Sequence, residues 1–163
     1  MDPIETLIPD NEGNHLVVVL SFYDETDKSE TFKIPCEFVD IDIADISIAK
    51  LNQHSPINIK VFFSMCNWLF DQFLCYPNAV FSFICSTDPL DTRHNGIQPE
   101  LYRWRLFESF YLRNHTKLAE SGINTQSVIV GPEEYQTFAR VFYRGKHSAT
   151  IHFVIDHLVN KYS

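Results

Sequence analysis

The chain has 163 residues, 45% hydrophobic, 14% aromatic and 21% charged, with 5 Gly and 8 Pro, which fits one globular domain and excludes collagen-like, low-complexity and disordered classes. Thirteen Lys and Arg against 21 Asp and Glu leave a formal net charge of −8, so the molecule as a whole disfavours non-specific attraction to nucleic acid or anionic membrane. The charge is divided unevenly: residues 1–56 hold 12 acids and 3 bases, whereas residues 57–163 hold 9 acids and 10 bases.

The first sixteen residues carry Asp2, Glu5, Asp10 and Glu12, with no basic n-region and no apolar run of signal-peptide length, so a cytoplasmic chain is expected. Residues 15–23 (HLVVVLSFY) are β-branched and apolar, and residues 30–39 resume after the polar stretch 24–29. The pair reads as a hairpin with the acidic hexapeptide as its loop, Pro35 marking an edge or a bulge because it lacks a ladder N–H. Val39, Ile41 and Ile43 alternate with Asp40 and Asp42. That period predicts a third strand with one face in the core and one in water, continuing toward Ile48.

From Ile57 to Tyr76 the residues Ile59, Phe62, Phe63, Cys66, Leu69, Phe70, Phe73 and Leu74 recur at helical steps, the pattern of a core helix too short and too interrupted to span a membrane. Tyr76-Pro77-Asn78 ends it, and residues 79–86 (AVFSFICS) read as a buried central strand. Residues 87–98 form a loop, and a second long helix is predicted from about Pro99 to Ser121, with Leu101, Trp104, Phe107, Tyr111 and Leu118 on one stripe and Gly122 as its stop. Residues 125–130 and 135–143 form a hairpin around Gly131-Pro132-Glu133-Glu134. In the tail, Ile151, Val154, Ile155, Leu158 and Val159 fit a helical stripe while Ala149, Ile151, Phe153 and Ile155 also alternate as a strand would; length and continuation through Tyr162 favour the helix. The expected order is β-β-β-α-β-α-β-β-α, a single α+β domain over residues 1–163 in which a mostly antiparallel sheet is packed by two or three helices.

The stretch Ile84-Cys85-Ser86-Thr87-Asp88-Pro89-Leu90-Asp91-Thr92-Arg93-His94 places two carboxylates, an arginine and a histidine just beyond a buried strand, where clefts form. Asp88 or Asp91 there offers a base or metal ligand, His94 a proton shuttle and Arg93 an anion clamp. The same residues are also ordinary turn-forming chemistry, the carboxylates bonding nearby backbone N–H groups. Downstream, Arg103, Arg105, Arg113 and Lys117 accompany Tyr102, Trp104, Phe107 and Tyr111, a basic aromatic helix of the kind that binds single-stranded nucleic acid or an acidic partner. Residues 103 and 105 point about 200° apart on a helix, however, and Arg105 is spaced to pair with Glu108. Cys36, Cys66, Cys75 and Cys85 never approach CxxC spacing and are expected to be reduced, buried thiols. His147, His152 and His157 step by five and share no helical face, so no metal site is expected. GxxxxGK[ST], GxGxxG, HExxH and GxSxG are all absent, and no cofactor is expected.

A strand ending FICSTDPLDTRH and leading to the helix RWRLFESFY resembles a family of uncharacterised small bacterial proteins in which a strand ends in a Cys-Asp-like pair near an Asp-x-Arg element. Cys85, Asp88, Asp91, Arg93, Arg103 or Arg105, Leu106 and Phe107 carry the match, over about residues 57–112. The resemblance implies a shared fold and a bacterial cytoplasmic origin, and no mechanism. Without a complete catalytic constellation, the leading expectation is a non-enzymatic interaction protein whose partner is another protein or a second copy of itself, with no nucleic-acid or membrane partner. The alternatives are a small hydrolase or nuclease using Asp88, Asp91, Arg93 and His94, and nucleic-acid binding through Arg103, Arg105, Arg113 and Lys117.

Overall fold

The computed structural model describes residues 2–9, 15–38, 40–50, 59–84, 99–132 and 137–161. It is an α+β fold with one mixed, mostly antiparallel six-stranded sheet. The strands are β1 (Ile4–Pro9), β2 (His15–Phe22), β3 (Asp42–Lys50), β4 (Ala79–Ile84), β5 (Ile123–Val130) and β6 (Thr137–Arg144), in the order β1-β2-β3-β4-β6-β5. The helices are α1 (Glu25–Glu30), α2 (Ile59–Cys75), α3 (Pro99–Glu120) and α4 (Ile151–Lys161). β3 and β4 pair in parallel and every other pair is antiparallel. The parallel pair requires a crossover, and α2 lies in it.

Alternation along the strands builds a core on each face. Leu16, Val18, Leu20, Ala44, Ile46, Phe81 and Phe83 turn toward α2, where they meet Phe62, Met65, Cys66, Leu69 and Phe73, with Leu118 of α3 beside them. Ile43, Val80, Ala139 and Val141 turn the other way and pack on Ile151, Val154 and Leu158 of α4. Of the stripe predicted for residues 57–76, Phe62, Cys66, Leu69 and Phe73 are buried, Phe63 and Phe70 pack half-buried beside them and Leu74 is exposed, while Ile57 lies outside the described residues. The tail is a helix whose Ile151, Val154 and Leu158 face one side of the sheet. Gly122, at φ 73°, takes the left-handed conformation that ends α3, and its N–H bonds to the Ala119 carbonyl at 3.0 Å.

Three readings of the N-terminal third need correction. The predicted hairpin between residues 15–23 and 30–39 does not form; β2 pairs instead with β1 and β3. Residues 25–30 are helical because Asp24 caps them: its carboxylate accepts from the Asp27 N–H at 2.8 Å, while Asp27 accepts from the Asp24 N–H at 3.3 Å. The following amides are then committed locally, Phe32 N–H to the Asp27 carbonyl and Ile34 N–H to the Lys28 carbonyl, both at 3.0 Å. Backbone groups spent that way cannot join a ladder. Phe32 and Ile34 are buried all the same, in the α4-side core. Finally, β3 does not keep one face in water: the adjacent residues Ile43 and Ala44 are both 0% exposed, on opposite faces of the sheet. Val39 lies outside the described residues.

The cysteines also divide. Cys66 is buried in the α2-side core, and burial pushes its thiol pKa up. Cys36 and Cys75 are exposed free thiols, contrary to the expectation of burial, because one lies in the 3-10 turn Cys36–Phe38 and the other on the solvent side of α2. Cys85 lies outside the described residues. Among the described residues no helix is long and apolar enough to cross a membrane.

Candidate functional site

Asp88, Asp91, Arg93 and His94 all lie outside the described residues. Arg103 and Arg105 belong to α3, but their side chains are likewise not described. The other two members of the basic helix are placed: the Arg113 guanidinium sits over the Phe63 ring at 5.2 Å and the Lys117 ammonium over the Phe70 ring at 4.4 Å. Four residues apart on α3, they reach across to rings seven residues apart on α2. The pair therefore rivets the two helices together through cation–π contacts. Glu108, spaced to pair with Arg105, forms an ion pair with Arg140 of β6.

The structure assembles a polar cluster that no sequence motif announced. Asp45 on β3 accepts from the Ser82 hydroxyl of β4 at 2.5 Å and, with its other oxygen, from the Tyr23 hydroxyl. The register that sets Asp45 opposite Ser82 creates the first contact. The Phe32 ring packs on Tyr23 at 4.7 Å and on His157 of α4 at 4.6 Å. Burial holds the His157 imidazole below the ordinary histidine value, more than the Asp45 charge raises it. A serine nucleophile needs an adjacent base and room for the reacting group. Ser82 is only 3% exposed and spends its proton directly on a carboxylate. The cluster thus satisfies a carboxylate held against a sheet, and Asp45→Ala, which strands two hydroxyls, is expected to cost about 2 kcal/mol in chemical denaturation. A variant as stable as the parent would show that the hydroxyls do not depend on Asp45.

The three tail histidines do not converge: His147 is buried, His152 exposed and His157 half-buried, and no metal-holding group occurs among the described residues. His147 Nε2 faces the Asp40 carbonyl at 3.0 Å and so carries the proton, while Nδ1 has no partner among the described residues. Burial is the main cause that lowers its pKa from 6.5, with the Lys146 and Arg144 charges adding to it. The unfolded chain therefore takes up protons that the folded chain refuses. Stability is complete above about pH 6.5 and falls as the pH drops further. Melting temperatures across that range are expected to decline less in His147→Gln, which keeps a donor for the Asp40 carbonyl.

Two further cations are used internally. Arg144 donates to the Phe73 and Tyr76 carbonyls at 2.7 and 2.8 Å and lies over the Phe73 ring, closing the C-terminus of α2. Lys28 is buried against Glu25 at 2.8 Å and Asp42 at 3.6 Å.

Among the described residues, an edge of the sheet has no further strand. β5 and β1 are its outer strands. β1 (IETLIP) is blunted by Glu5 and Pro9, two devices that discourage further pairing. β5 (INTQSVIV) has eight residues with neither charge nor proline, and among the described residues no strand pairs along its outer side. Ile129 is 58% exposed, and Asn124, Gln126 and Ser127 are exposed beside it. The hairpin predicted for residues 125–130 and 135–143 forms, as β5 paired antiparallel with β6, but the sequence did not place β5 at the rim of the sheet. The missing signal was its lack of gatekeeping charge, which has meaning only for a strand known to be at an edge. Compared with known proteins, the chain matches no family model, no curated protein and no solved structure.

Proposed function

We propose that the chain is a non-enzymatic cytoplasmic interaction domain that binds a protein segment by strand addition along β5. The observation that carries this reading is the uncharged, proline-free outer edge of β5, eight residues long, with Ile129 exposed on it. Edge strands are ordinarily protected because their outward N–H and C=O groups template pairing; β1 has such protection and β5 does not. Main-chain bonds to an extended segment supply affinity in this mode, and alternate side chains supply selectivity. The internal use of Asp45, Arg140 and Arg144 supports a binding rather than a catalytic role. The free thiols of Cys36, Cys66 and Cys75 support the cytoplasmic assignment. The test is a photo-crosslinking side chain introduced in cells at Ile129 or, as a control, at Asp71 on the exposed side of α2. Protein adducts at Ile129 and none at Asp71 are expected; equal labelling or none at Ile129 overturns the reading.

A further inference from the structure

The edge of β5 has a second property, which bears on what occupies it. The acidic part of the chain, residues 1–56 with 12 acids and 3 bases, contributes β1, β2, α1 and β3. β1 and β2 form the far end of the sheet from β5, and β4 and β6 separate β3 from it. Two copies joined along β5 keep these segments at the outer ends of a sheet of twelve strands, six from each copy. The two β3 strands are then seven strand spacings apart, roughly 34 Å at about 4.8 Å per spacing. That exceeds three Debye lengths at about 0.1 M salt. Joining along β1 would instead set the two acidic ends side by side. The net charge of −8, which opposes most encounters between copies, therefore spares this one and directs it to β5.

The side chains are also self-complementary. In antiparallel pairing, opposite residues share a face of the sheet, so a twofold axis between two β5 strands sets one residue opposite its own copy. With the axis at Gln126, that side chain faces Gln126 of the second copy. Thr125 then faces Ser127, Asn124 faces Val128, and the exposed Ile129 faces Ile123. This register gives Ile129 an apolar opposite and sets no charge against another. Resting on the strand-addition reading above, we infer that the occupant of the β5 edge is a second copy of this chain, in a twofold, antiparallel dimer with one continuous sheet, the commonest oligomer symmetry.

Sedimentation of the wild-type chain is expected to give twice the 19.0 kDa chain mass. Gln126→Lys and Gln126→Glu place like charges across the axis and are each expected to sediment as monomers. Gln126 is exposed on a surface strand, so both variants are expected to keep the wild-type circular dichroism, and mixing them in equal amounts is expected to restore the dimer. A wild-type chain that stays monomeric at its highest soluble concentration overturns the inference, as does a Gln126→Lys chain that remains dimeric. If that monomer still forms adducts at Ile129 with a different protein, strand addition stands and only the second copy is refuted. If it forms none, both fail.

Discussion

Phe81→Ala is expected to destabilise the fold by about 3–5 kcal/mol, the range for truncating a buried phenylalanine. Phe81 is 2% exposed and, among the described residues, the largest of the fully buried side chains. It lies on a central strand, opposite Ala44 of β3 and Phe142 of β6, and meets the Phe73 ring of α2 in a T-shaped contact at 5.2 Å between centroids. Truncation removes the ring's transfer free energy, its edge-to-face contact and the support beneath Phe73, whose own carbonyl is bound by Arg144. A domain of this size has only about 5–15 kcal/mol of total stability, so the loss is a large fraction of the whole. Urea denaturation measures it, with the midpoint falling and the slope unchanged. Phe81→Leu refills most of the volume and is expected to cost much less. Equal losses for Ala and Leu would mean that ring contacts rather than cavity formation dominate.

Glu108→Ala is expected to cost about 3 kcal/mol, because it leaves a buried guanidinium without its counter-charge. Arg140 lies between α3 and the sheet, with side-chain exposure of 6% against 21% for Glu108. It also donates to the Thr125 hydroxyl at 3.0 Å and sits over the Tyr111 ring at 4.8 Å. Desolvating the pair has already offset most of its Coulombic gain, so the penalty falls on whichever charge remains. Arg140→Met removes the more deeply buried charge and leaves Glu108 nearer to water. It is therefore expected to be the milder change, although it deletes more contacts. The reverse ranking in thermal or chemical denaturation would show that Arg140 stabilises through packing and cation–π contact rather than through its charge. The pair is expected to respond little to added salt, since buried charges are screened weakly.

Elements whose signal lies within their own residues were legible in advance. α2, α3 and α4 appear where a period of 3.6 places apolar residues on one stripe, and β2 and β4 where Val, Ile and Phe crowd together. The stop at Gly122 follows from its freedom to take a positive φ. Two local signals were present and outweighed. Asp24 and Asp27 form a capping box that looked like a loop because both are acidic. Ile4, Thr6 and Ile8 alternate inward as β1. The sheet still has three strands before α2, but they are β1, β2 and β3 rather than the predicted set.

The candidate sites divide along the same line. The basic helix could be named from the sequence, but whether Arg113 and Lys117 faced solvent or α2 depended on Phe63 and Phe70, some fifty residues earlier. Asp45, Ser82 and Tyr23 come from three separate segments and share no spacing rule.

By itself, the amino-acid sequence determined the fold class, α2, α3 and the strong strands, and favoured a helix over a strand for α4, because hydrophobic period and turn residues act over one or two turns of chain. Only the tertiary structure decided that β6 enters between β4 and β5, that β3 is covered on both faces, and that β5 is left as an outer edge. Strand order is a choice among long-range pairings, all compatible with the same local alternation. It is settled by how the helices cover the two faces, so an uncharged strand reads identically in sequence whether it is buried at the centre or exposed at the rim.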